Sequence, residues 1–332
     1  MNVIKWALVH LCVFTTLWHT VHSQNTVDSL NFNQTWQATF PAPESSSTSA
    51  SNDIAEKWSV ASSNFFGASE DLSFVKDPFN QSETGSVLQV LYNEGSFSPK
   101  ASTQTGGAEF FMQPFGDQAF DKALLTYDIA FDNNFPWVMG GKLPGLYGGP
   151  PGSGCSGGSQ SDGTNCFSMR MMWRTGGAGE AYAYIPHSSD LCSTPLTMCN
   201  DEFGVSISRG LIQFKPAIWS KLQMYVETGT AGQNNGILKI WQDGSLVISR
   251  TDLQYRSNNM IQLSSIMFST FFGGSSSAWA TPTTTHTYFK NIQLQVGPPV
   301  KLTDSRASST TASHYLFVTF ITLFIVLITY ML

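Results

Sequence analysis

The feature that most constrains the fold is a two-residue alternation of apolar and polar side chains, in short stretches separated by Gly, Asn, Asp and Ser. Residues 125–131 read LTYDIAF, and their large apolar side chains occupy every second position. Similar stretches are predicted as strands at 222–226, 261–272 and 287–296. Because side chains alternate between the two faces of a strand, this period is typical of sheets that cover a core with one face.

A hairpin is predicted where the stretches 237–241 and 246–249 flank Asp243-Gly244. Asp-Gly favours a type I′ turn, since both central residues of that turn need a positive φ. Stretches with a helical period are scarce. Many short strands with turn residues between them predict an all-β sandwich, and a jelly roll is one of the few topologies that build one.

The two ends of the chain differ in composition from the region between them. Residues 1–23 carry one lysine, an apolar run and small residues around a cleavage site, which is typical of a secretory signal peptide. Residues 315–332 are uncharged and apolar, and the Ser/Thr-rich segment 298–314 precedes them. This order predicts a stalk with a GPI-attachment site and a hydrophobic GPI signal, with a membrane-spanning anchor as the alternative. Residues 24–297 are then expected to form one large β domain, secreted and tethered at the cell surface.

Four cysteines remain once the predicted signal peptide is removed, and an even number in a secreted protein predicts two disulfides. They are Cys155, Cys166, Cys192 and Cys199. Three pairings are possible. The pairs 155–166 and 192–199 are favoured, because each would close one loop. A zinc site is disfavoured, since no CxxC pair with companion histidines is present.

Two glycosylation sequons are present, and the net charge limits the kinds of polymer that the chain is expected to bind. Asn33 and Asn80 begin Asn-X-Ser/Thr tripeptides and are predicted glycosylation sites. The formal net charge is −6 at pH 7 and basic runs are absent, so binding to nucleic acid is not expected. An acidic protein can still bind an anionic polymer when cations line one cleft.

The segment 136–186 carries the candidate chemistry. Lys142 follows Gly140-Gly141 in a Gly-rich stretch that permits close approach of another chain, so it is a candidate anion contact, with a solvated loop lysine as the alternative. In the predicted strand 167–173, Phe, Met, Met and Trp share one face. The other face continues with the polar residues Ser168, Arg170 and Arg174. Such a face borders solvent or a cleft rather than a core.

A second alternating stretch, AYAYI, places Tyr182 and Tyr184 on one face and its alanines on the other. A Gly-rich turn joins it to the previous strand, so the two are expected to pair as an antiparallel hairpin. If the turn centres on Gly177, Arg170 lies opposite Tyr184 on the same face. Met172 then lies opposite Tyr182. A register shifted by one residue would separate the set.

A cluster of Tyr, Arg and Lys suits β-elimination from a polyuronate. A cation stabilises the charge that develops on the sugar carboxylate, a base takes the C5 proton, and an acid protonates the leaving oxygen at C4. Tyrosine can serve as base or acid, and neighbouring cations are expected to lower its pKa from about 10. The structural alternative is a pair of tyrosines packed on a polar face, with Arg170 in a salt bridge.

Three segments resemble polysaccharide lyase family 14, the alginate and glucuronate lyases: GGKLPGL (140–146), FSMRMMW (167–173) and AYAYIP (181–186). FSTFFGG (268–274) resembles the family more weakly, and the resemblance extends over about residues 85–296. It implies a β-jelly roll with a long cleft, an acidic polysaccharide such as alginate or glucuronan as substrate, and neither a metal nor another cofactor. The matching functional positions are Lys142, Ser168, Arg170, Tyr182 and Tyr184.

The resemblance also implies roles for these residues. Lysine and arginine would neutralise the uronate carboxylate, a tyrosine would act as base and acid, and serine would help to position the sugar. Further substrate contacts are expected from residues near the predicted cleft, namely Arg174, His187 and Tyr147.

Two other functions stay open. A glycoside hydrolase needs two facing carboxylates about 5–9.5 Å apart. Asp128 and Asp132 share a strand face but are separated by about 13 Å. A non-catalytic carbohydrate-binding protein could hold sugar on aromatic side chains, but the complete Lys-Arg-Tyr-Tyr set favours the lyase.

Overall fold

The computed structural model describes residues 27–43, 47–61 and 69–303. The predicted signal peptide, the hydrophobic tail and most of the stalk lie outside the described residues. Within the described ranges, no helix has both the length and the apolar character that crossing a bilayer requires.

Strands account for most of the described chain. In chain order they are β1 (Gln34–Gln37), β2 (Leu72–Lys76), β3 (Ser86–Tyr92), β4 (Ala108–Met112), β5 (Ala119–Phe120), β6 (Lys122–Phe131), β7 (Gly141–Gly148), β8 (Phe167–Trp173), β9 (Ala178–Tyr184), β10 (Val205–Gln213), β11 (Ser220–Glu227), β12 (Gly236–Gln242), β13 (Ser245–Leu253), β14 (Leu263–Phe272), β15 (Thr285–Val296) and β16 (Pro299–Val300). Two α-helices are α1 (Ser47–Lys57) and α2 (Ser189–Ser193). Short 3-10 turns occur at Val27–Ser29, Ser69–Asp71, Thr175–Gly177 and Ser277–Trp279.

The strands form two eight-stranded antiparallel sheets. The first, here called the outer sheet, has the order β13-β12-β11-β6-β15-β3-β2, and β1 also pairs with β15. The second, here called the cleft sheet, has the order β10-β9-β8-β7-β14-β5-β16, and β4 also pairs with β14. This arrangement confirms the predicted all-β jelly-roll sandwich.

The turn chemistry of the sequence is visible in the structure. Asp243 (φ 52°) and Gly244 (φ 81°) connect β12 to β13, which confirms the predicted hairpin. At the other end of the domain, Pro299 and Val300 pair with β5, so the cleft sheet extends slightly beyond residue 297.

The core lies between the two sheets and is filled by alternate side chains from both. Trp173 of β8 is fully buried, and its ring centroid lies 5.4 Å from that of Phe135 and 5.2 Å from that of Phe272. Helix α1 adds Ala50 and Ile54, which are four residues apart and face the same core. Each large side chain of this kind stabilises the fold by about 1.5–3 kcal/mol. These contacts fix the inner face of the cleft sheet against the core.

Both favoured disulfides are present. Cys155 is bonded to Cys166 in the connection between β7 and β8, and Cys192 is bonded to Cys199 in the connection that contains α2. The prediction of two local bonds is confirmed. Each of them fixes a loop that follows a strand of the cleft sheet.

Candidate active site

The outward face of the cleft sheet forms the floor of a cavity of about 960 Å³. A cavity of this size is in the upper part of the range for small-molecule sites. Five of the eight predicted catalytic and substrate-binding residues line it: Lys142, Arg170, Arg174, Tyr182 and Tyr184. Strand alternation on β7, β8 and β9 explains why they share this face.

The cavity is strongly cationic, although the chain as a whole is acidic. The cations along its wall are Lys100, Lys142, Arg170, Arg174 and Arg209. Among the described residues that line the cavity, Glu109 is the only one with a carboxylate. Cations concentrated in one cleft attract an anionic polymer despite an opposite net charge.

The register of the β8–β9 hairpin differs from the predicted one by two residues. Arg170 lies opposite Tyr182, and Ser168 lies opposite Tyr184. The connection centres on Gly176 (φ 69°) rather than Gly177, and the Arg174 N–H donates to the Ala178 carbonyl across it at 2.6 Å. The predicted pairing of Arg170 with Tyr184 is therefore wrong. The shared face is retained, because a shift of two residues leaves every side chain on its side of the sheet.

Lys142 lies buried in the floor of the cavity. Its side chain enters the cavity from β7, and Nζ lies 3.4 Å from the centroid of the Tyr182 ring and 3.0 Å from Met172 Sδ. Among the described residues no carboxylate forms a salt bridge with it. Burial, reinforced by the charges of Arg170 and Arg174, holds the pKa of Lys142 well below its usual value. A bound anion would restore the charged form.

Arg170 has unused donors beside Lys142. It is 1% exposed, and its Nη1 donates to Ser269 Oγ at 3.1 Å and lies 3.8 Å from Glu109 Oε2. Its Nε and Nη2 have no hydrogen-bond partner among the described residues. An unsatisfied buried donor costs about 1–3 kcal/mol, so a ligand carboxylate at this point would be stabilised.

The two tyrosines meet at their rings but differ in surroundings. Their ring centroids are 5.9 Å apart in an edge-to-face arrangement. The Tyr182 oxygen accepts a hydrogen bond from the Gly204 N–H, and the Tyr184 oxygen accepts one from the Gly158 N–H, both at 3.1 Å. Burial, with a smaller contribution from Tyr184, raises the pKa of Tyr182. Arg170 and Arg174 do lower the pKa of Tyr182, but desolvation outweighs them, so the predicted net lowering is wrong for this residue.

Glu180, which was not among the predicted site residues, organises the cationic side of the cavity. Its fully buried carboxylate forms ion pairs with Arg174 and Arg209 and accepts a hydrogen bond from Ser206 Oγ at 2.7 Å. Glu180 belongs to β9 and lies on the same strand face as Tyr182 and Tyr184, two residues from Tyr182. Had the predicted strand begun before Glu180, the two-residue period would have placed this carboxylate at the site. Arg209 gave no such signal, because the positive φ of Ser208 interrupts the alternation of β10.

Replacing Glu180 with glutamine is expected to destabilise the protein by about 3–5 kcal/mol, since it leaves two arginines without their buried counter-charge. Anions should bind more weakly in the cavity as Arg174 loses its fixed position. Urea unfolding and titration with an anionic oligosaccharide would measure both effects. Asp252→Asn is the matched control, because its pair with Arg250 is half exposed and worth about 0–1 kcal/mol. Equal destabilisation by the two substitutions would contradict this interpretation of Glu180.

Two predicted residues lie beside the cavity but are covered. The Ser168 hydroxyl is fully buried and donates to the Cys155 carbonyl at 2.6 Å. The Tyr147 hydroxyl, on the neighbouring strand, donates to the Gly154 carbonyl at 3.2 Å. Both side chains are thus engaged by the connection between β7 and β8 instead of lining the cavity.

His187 lies apart from the other predicted residues. It borders a separate recess of about 130 Å³ together with Asp252 and Gln254. Strand β9 ends at Tyr184, and the chain leaves the cleft sheet before it reaches His187. A side chain at this place does not share the cavity, so the expected substrate contact is not supported.

The carboxylates considered for a hydrolase are also elsewhere. Asp128 lies on β6 of the outer sheet, on the face away from the core, and Asp132 directly follows the end of that strand. Asp128 accepts a hydrogen bond from Asn291 at 2.6 Å, and Asp132 Oδ1 accepts one from Tyr288 at 2.9 Å. This pair does not face the cavity.

The sequence model of the family polysaccharide lyase 14 matches residues 80–292. The chain belongs to polysaccharide lyase family 14. The family and the enzyme class that the three motifs predicted are thereby confirmed.

Three individual proteins are also similar to this chain. The chain is 30% identical to the marine PL-14 alginate lyase from Aplysia kurodai, with a TM-score of 0.69, over 80% of this chain and 100% of that one. The fold is also similar to that of alginate lyase Aly36B, at 17% identity and a TM-score of 0.59, over 82% of this chain and 100% of that one. Exolysin of Paramecium bursaria Chlorella virus 1 is 26% identical over 176 residues, which cover 46% of this chain and 26% of exolysin. The family member described here thus spans about a quarter of that viral protein.

Proposed function

We propose that this protein cleaves an acidic polyuronate by β-elimination. The observation that carries the proposal is the pair of buried cations, Lys142 and Arg170, which face two tyrosines in one cavity and lack a full set of partners among the described residues. A uronate carboxylate supplies the acceptors that both cations lack. Once bound, it also restores the charged form of Lys142.

Each of the two tyrosines carries out one proton transfer of the elimination. Tyr184, as phenolate, takes the C5 proton, and the C5–H electron pair forms the C4=C5 double bond. The C4–O4 bond breaks, and Tyr182 gives its proton to the leaving oxygen. The raised pKa of Tyr182 supports this assignment, because it keeps that hydroxyl protonated until transfer. Lys142 and Arg170 stabilise the charge that develops on the carboxylate, and proton exchange with water resets both tyrosines.

Alginate is the substrate class that the comparison supports first, because the 30%-identical relative from Aplysia kurodai is an alginate lyase. The test is an assay of the purified protein with alginate, glucuronan and pectate. Ultraviolet absorbance reports the conjugated double bond of the unsaturated product. We expect absorbance to rise with one polymer, and KM to increase with ionic strength because salt screens the cationic cleft.

The same assay separates the alternatives. New reducing ends without the ultraviolet signal would indicate hydrolysis and reject elimination. Binding without any product would indicate a carbohydrate-binding protein. Activity on pectate alone would reject alginate and glucuronan as the substrate class.

We also propose that the protein acts outside the cell. The two disulfides support this location, since such bonds persist in oxidising compartments. Asn33 is exposed before β1 and accessible to glycosylation, while Asn80 is half buried and donates to Glu83 at 3.2 Å. Expression in a eukaryotic secretory host, followed by phospholipase C release from the cell surface, would test secretion and the GPI anchor together. Retention of the intact protein inside the cell would contradict both.

A further inference from the structure

The connection between β7 and β8, residues 149–166, makes backbone contacts with side chains of the cleft sheet. The Cys155 carbonyl accepts from Ser168 Oγ at 2.6 Å, and the Gly158 N–H donates to the Tyr184 oxygen at 3.1 Å. The Gly154 carbonyl accepts from the Tyr147 hydroxyl at 3.2 Å. Three hydroxyl groups of the cleft sheet are therefore oriented by the main chain of one loop.

We infer that the loop 149–166 is a positioning element of the active site, and that its Cys155–Cys166 disulfide is required to hold Tyr184 in its reactive orientation. The inference rests on the proposed function, in which Tyr184 takes the C5 proton. It adds that the oxygen of this tyrosine is placed by a backbone N–H outside the strands. A disulfide several residues away thereby acts on the reacting group.

The composition of the loop explains why a cross-link is needed. It contains no strand or helix, and glycines 152, 154, 157, 158 and 163 all have positive φ. Glycine-rich backbone loses much conformational entropy when it is ordered. The disulfide removes part of that freedom, and both cysteines are fully buried against the tyrosine cluster. Without the bond, the loop has many conformations in which the Gly158 N–H points elsewhere.

The loop also braces the segment that holds the other tyrosine. Gln160 Nε2 donates to the Phe203 carbonyl at 2.7 Å and to the Asn200 carbonyl at 3.2 Å. The next residue, Gly204, donates its N–H to the Tyr182 oxygen. A displaced loop is therefore expected to disturb both phenol oxygens. Since reaction requires close alignment of proton donor and acceptor, a displacement of about 1 Å can cost about 100-fold in rate.

The experiment compares two ways of releasing the loop. In Cys155→Ala/Cys166→Ala the cross-link is absent. In Gly158→Ala it is intact, and the new Cβ has room, since its nearest neighbour is 3.5 Å away, but the φ of +89° is unfavourable for alanine. Gly244→Ala is the matched control, because Gly244 has a φ of +81°, open space around it and a place in the distant β12–β13 turn. Variants that do not melt well above the assay temperature are assayed at a lower one.

We expect the disulfide variant to lose about 10- to 100-fold in kcat with less than about a threefold change in KM, and Gly158→Ala to lose kcat in the same direction. Gly244→Ala should keep the kcat of the wild type. A folded disulfide variant with unchanged kcat overturns the inference. So does a rise in KM alone, which would make the loop only a wall of the cleft.

A readout that does not depend on activity separates this inference from the proposed function. Hydrogen exchange of the Gly158 amide is measured in the wild type and in Tyr184→Phe, both with the disulfide intact. We expect faster exchange in Tyr184→Phe, because the phenol oxygen that accepts this N–H is gone. If the wild type cleaves no polyuronate, the proposed function fails, and unchanged exchange at Gly158 would then reject the loop contact as well.

Discussion

Tyr184→Phe is expected to lower kcat on the preferred polyuronate by about 10²- to 10⁴-fold, the range for loss of a positioned general acid or base. The substitution removes one oxygen, at the point where the Gly158 N–H donates and beside the Arg170 guanidinium, whose Cζ lies 5.9 Å from the ring centroid. The ring itself stays packed against Tyr182, so KM should change little. Initial rates of product absorbance at several polymer concentrations would give kcat and KM separately.

Tyr288→Phe is the matched control for this loss. Its hydroxyl is also hydrogen-bonded, in this case to the Asp132 carboxylate, but it lies on the outer sheet. We expect normal kinetics from it. If Tyr184→Phe retained more than about one tenth of the wild-type kcat, the assignment of Tyr184 as proton acceptor would be rejected.

Lys142→Met is expected to lower kcat by about 10²- to 10³-fold, as for removal of one preorganised group that stabilises transition-state charge. Methionine keeps an unbranched chain that can lie on the Tyr182 ring, where Nζ now lies 3.4 Å from the centroid. The loss is therefore attributable to the charge. Lys221→Met, at an exposed position on the outer sheet, is the control that should remain fully active. Undiminished turnover in Lys142→Met would remove the lysine from the mechanism.

The same substitution is expected to stabilise the fold. Burial and two arginines lower the native pKa of Lys142, whereas in the unfolded chain this group titrates near 10.4. Between these values the unfolded chain binds more protons, so the free energy of unfolding rises with pH across that window. Lys142 thus costs stability at neutral pH, and the cost disappears above its unfolded pKa.

Thermal unfolding as a function of pH would measure this effect. Lys142→Met should show a higher Tm than the wild type at neutral pH, by about 2–4 °C for each kcal/mol, and the difference should shrink towards pH 10–11. A lower Tm for the variant at neutral pH would contradict the interpretation of Lys142 as a buried cation that has no carboxylate partner among the described residues. Loss of activity with a gain in stability is the pattern expected of a functional residue.

Strand alternation predicted the composition of the cleft face well. The period of two on β8 and β9 placed Arg170, Tyr182 and Tyr184 on one side of the sheet, and the structure confirms this. The exact register of β8 against β9 could not be predicted, because a Gly-Gly turn can centre on either glycine with little difference in local energy. The even shift left the face intact, which is why the chemistry could be predicted despite the wrong register.

Connections explain what the sequence could not predict. The burial of Ser168 depends on the path of a glycine-rich loop, and no periodic pattern describes such a path. Arg209 reaches Glu180 only because β10 bulges at Ser208. His187 follows a strand that faces the cavity, yet the chain turns away before reaching it. In each case tertiary packing, not local preference, decides the position.

The order of the strands has a consequence for assembly. Strands β7, β8, β9 and β10 are neighbours in the sheet in the same order as in the chain. Pairings between these consecutive strands close much shorter loops than the pairing of β7 with β14 does, and shorter loops cost less entropy to close. We therefore expect this meander to form ahead of its pairing with β14, which follows β10 only after three strands of the outer sheet. The lysine, the arginines and the tyrosines of the reactive surface are encoded in one continuous stretch, so a change in the length of the loop 149–166 would leave the strand pairings intact and act through the cleft wall and the Tyr184 oxygen.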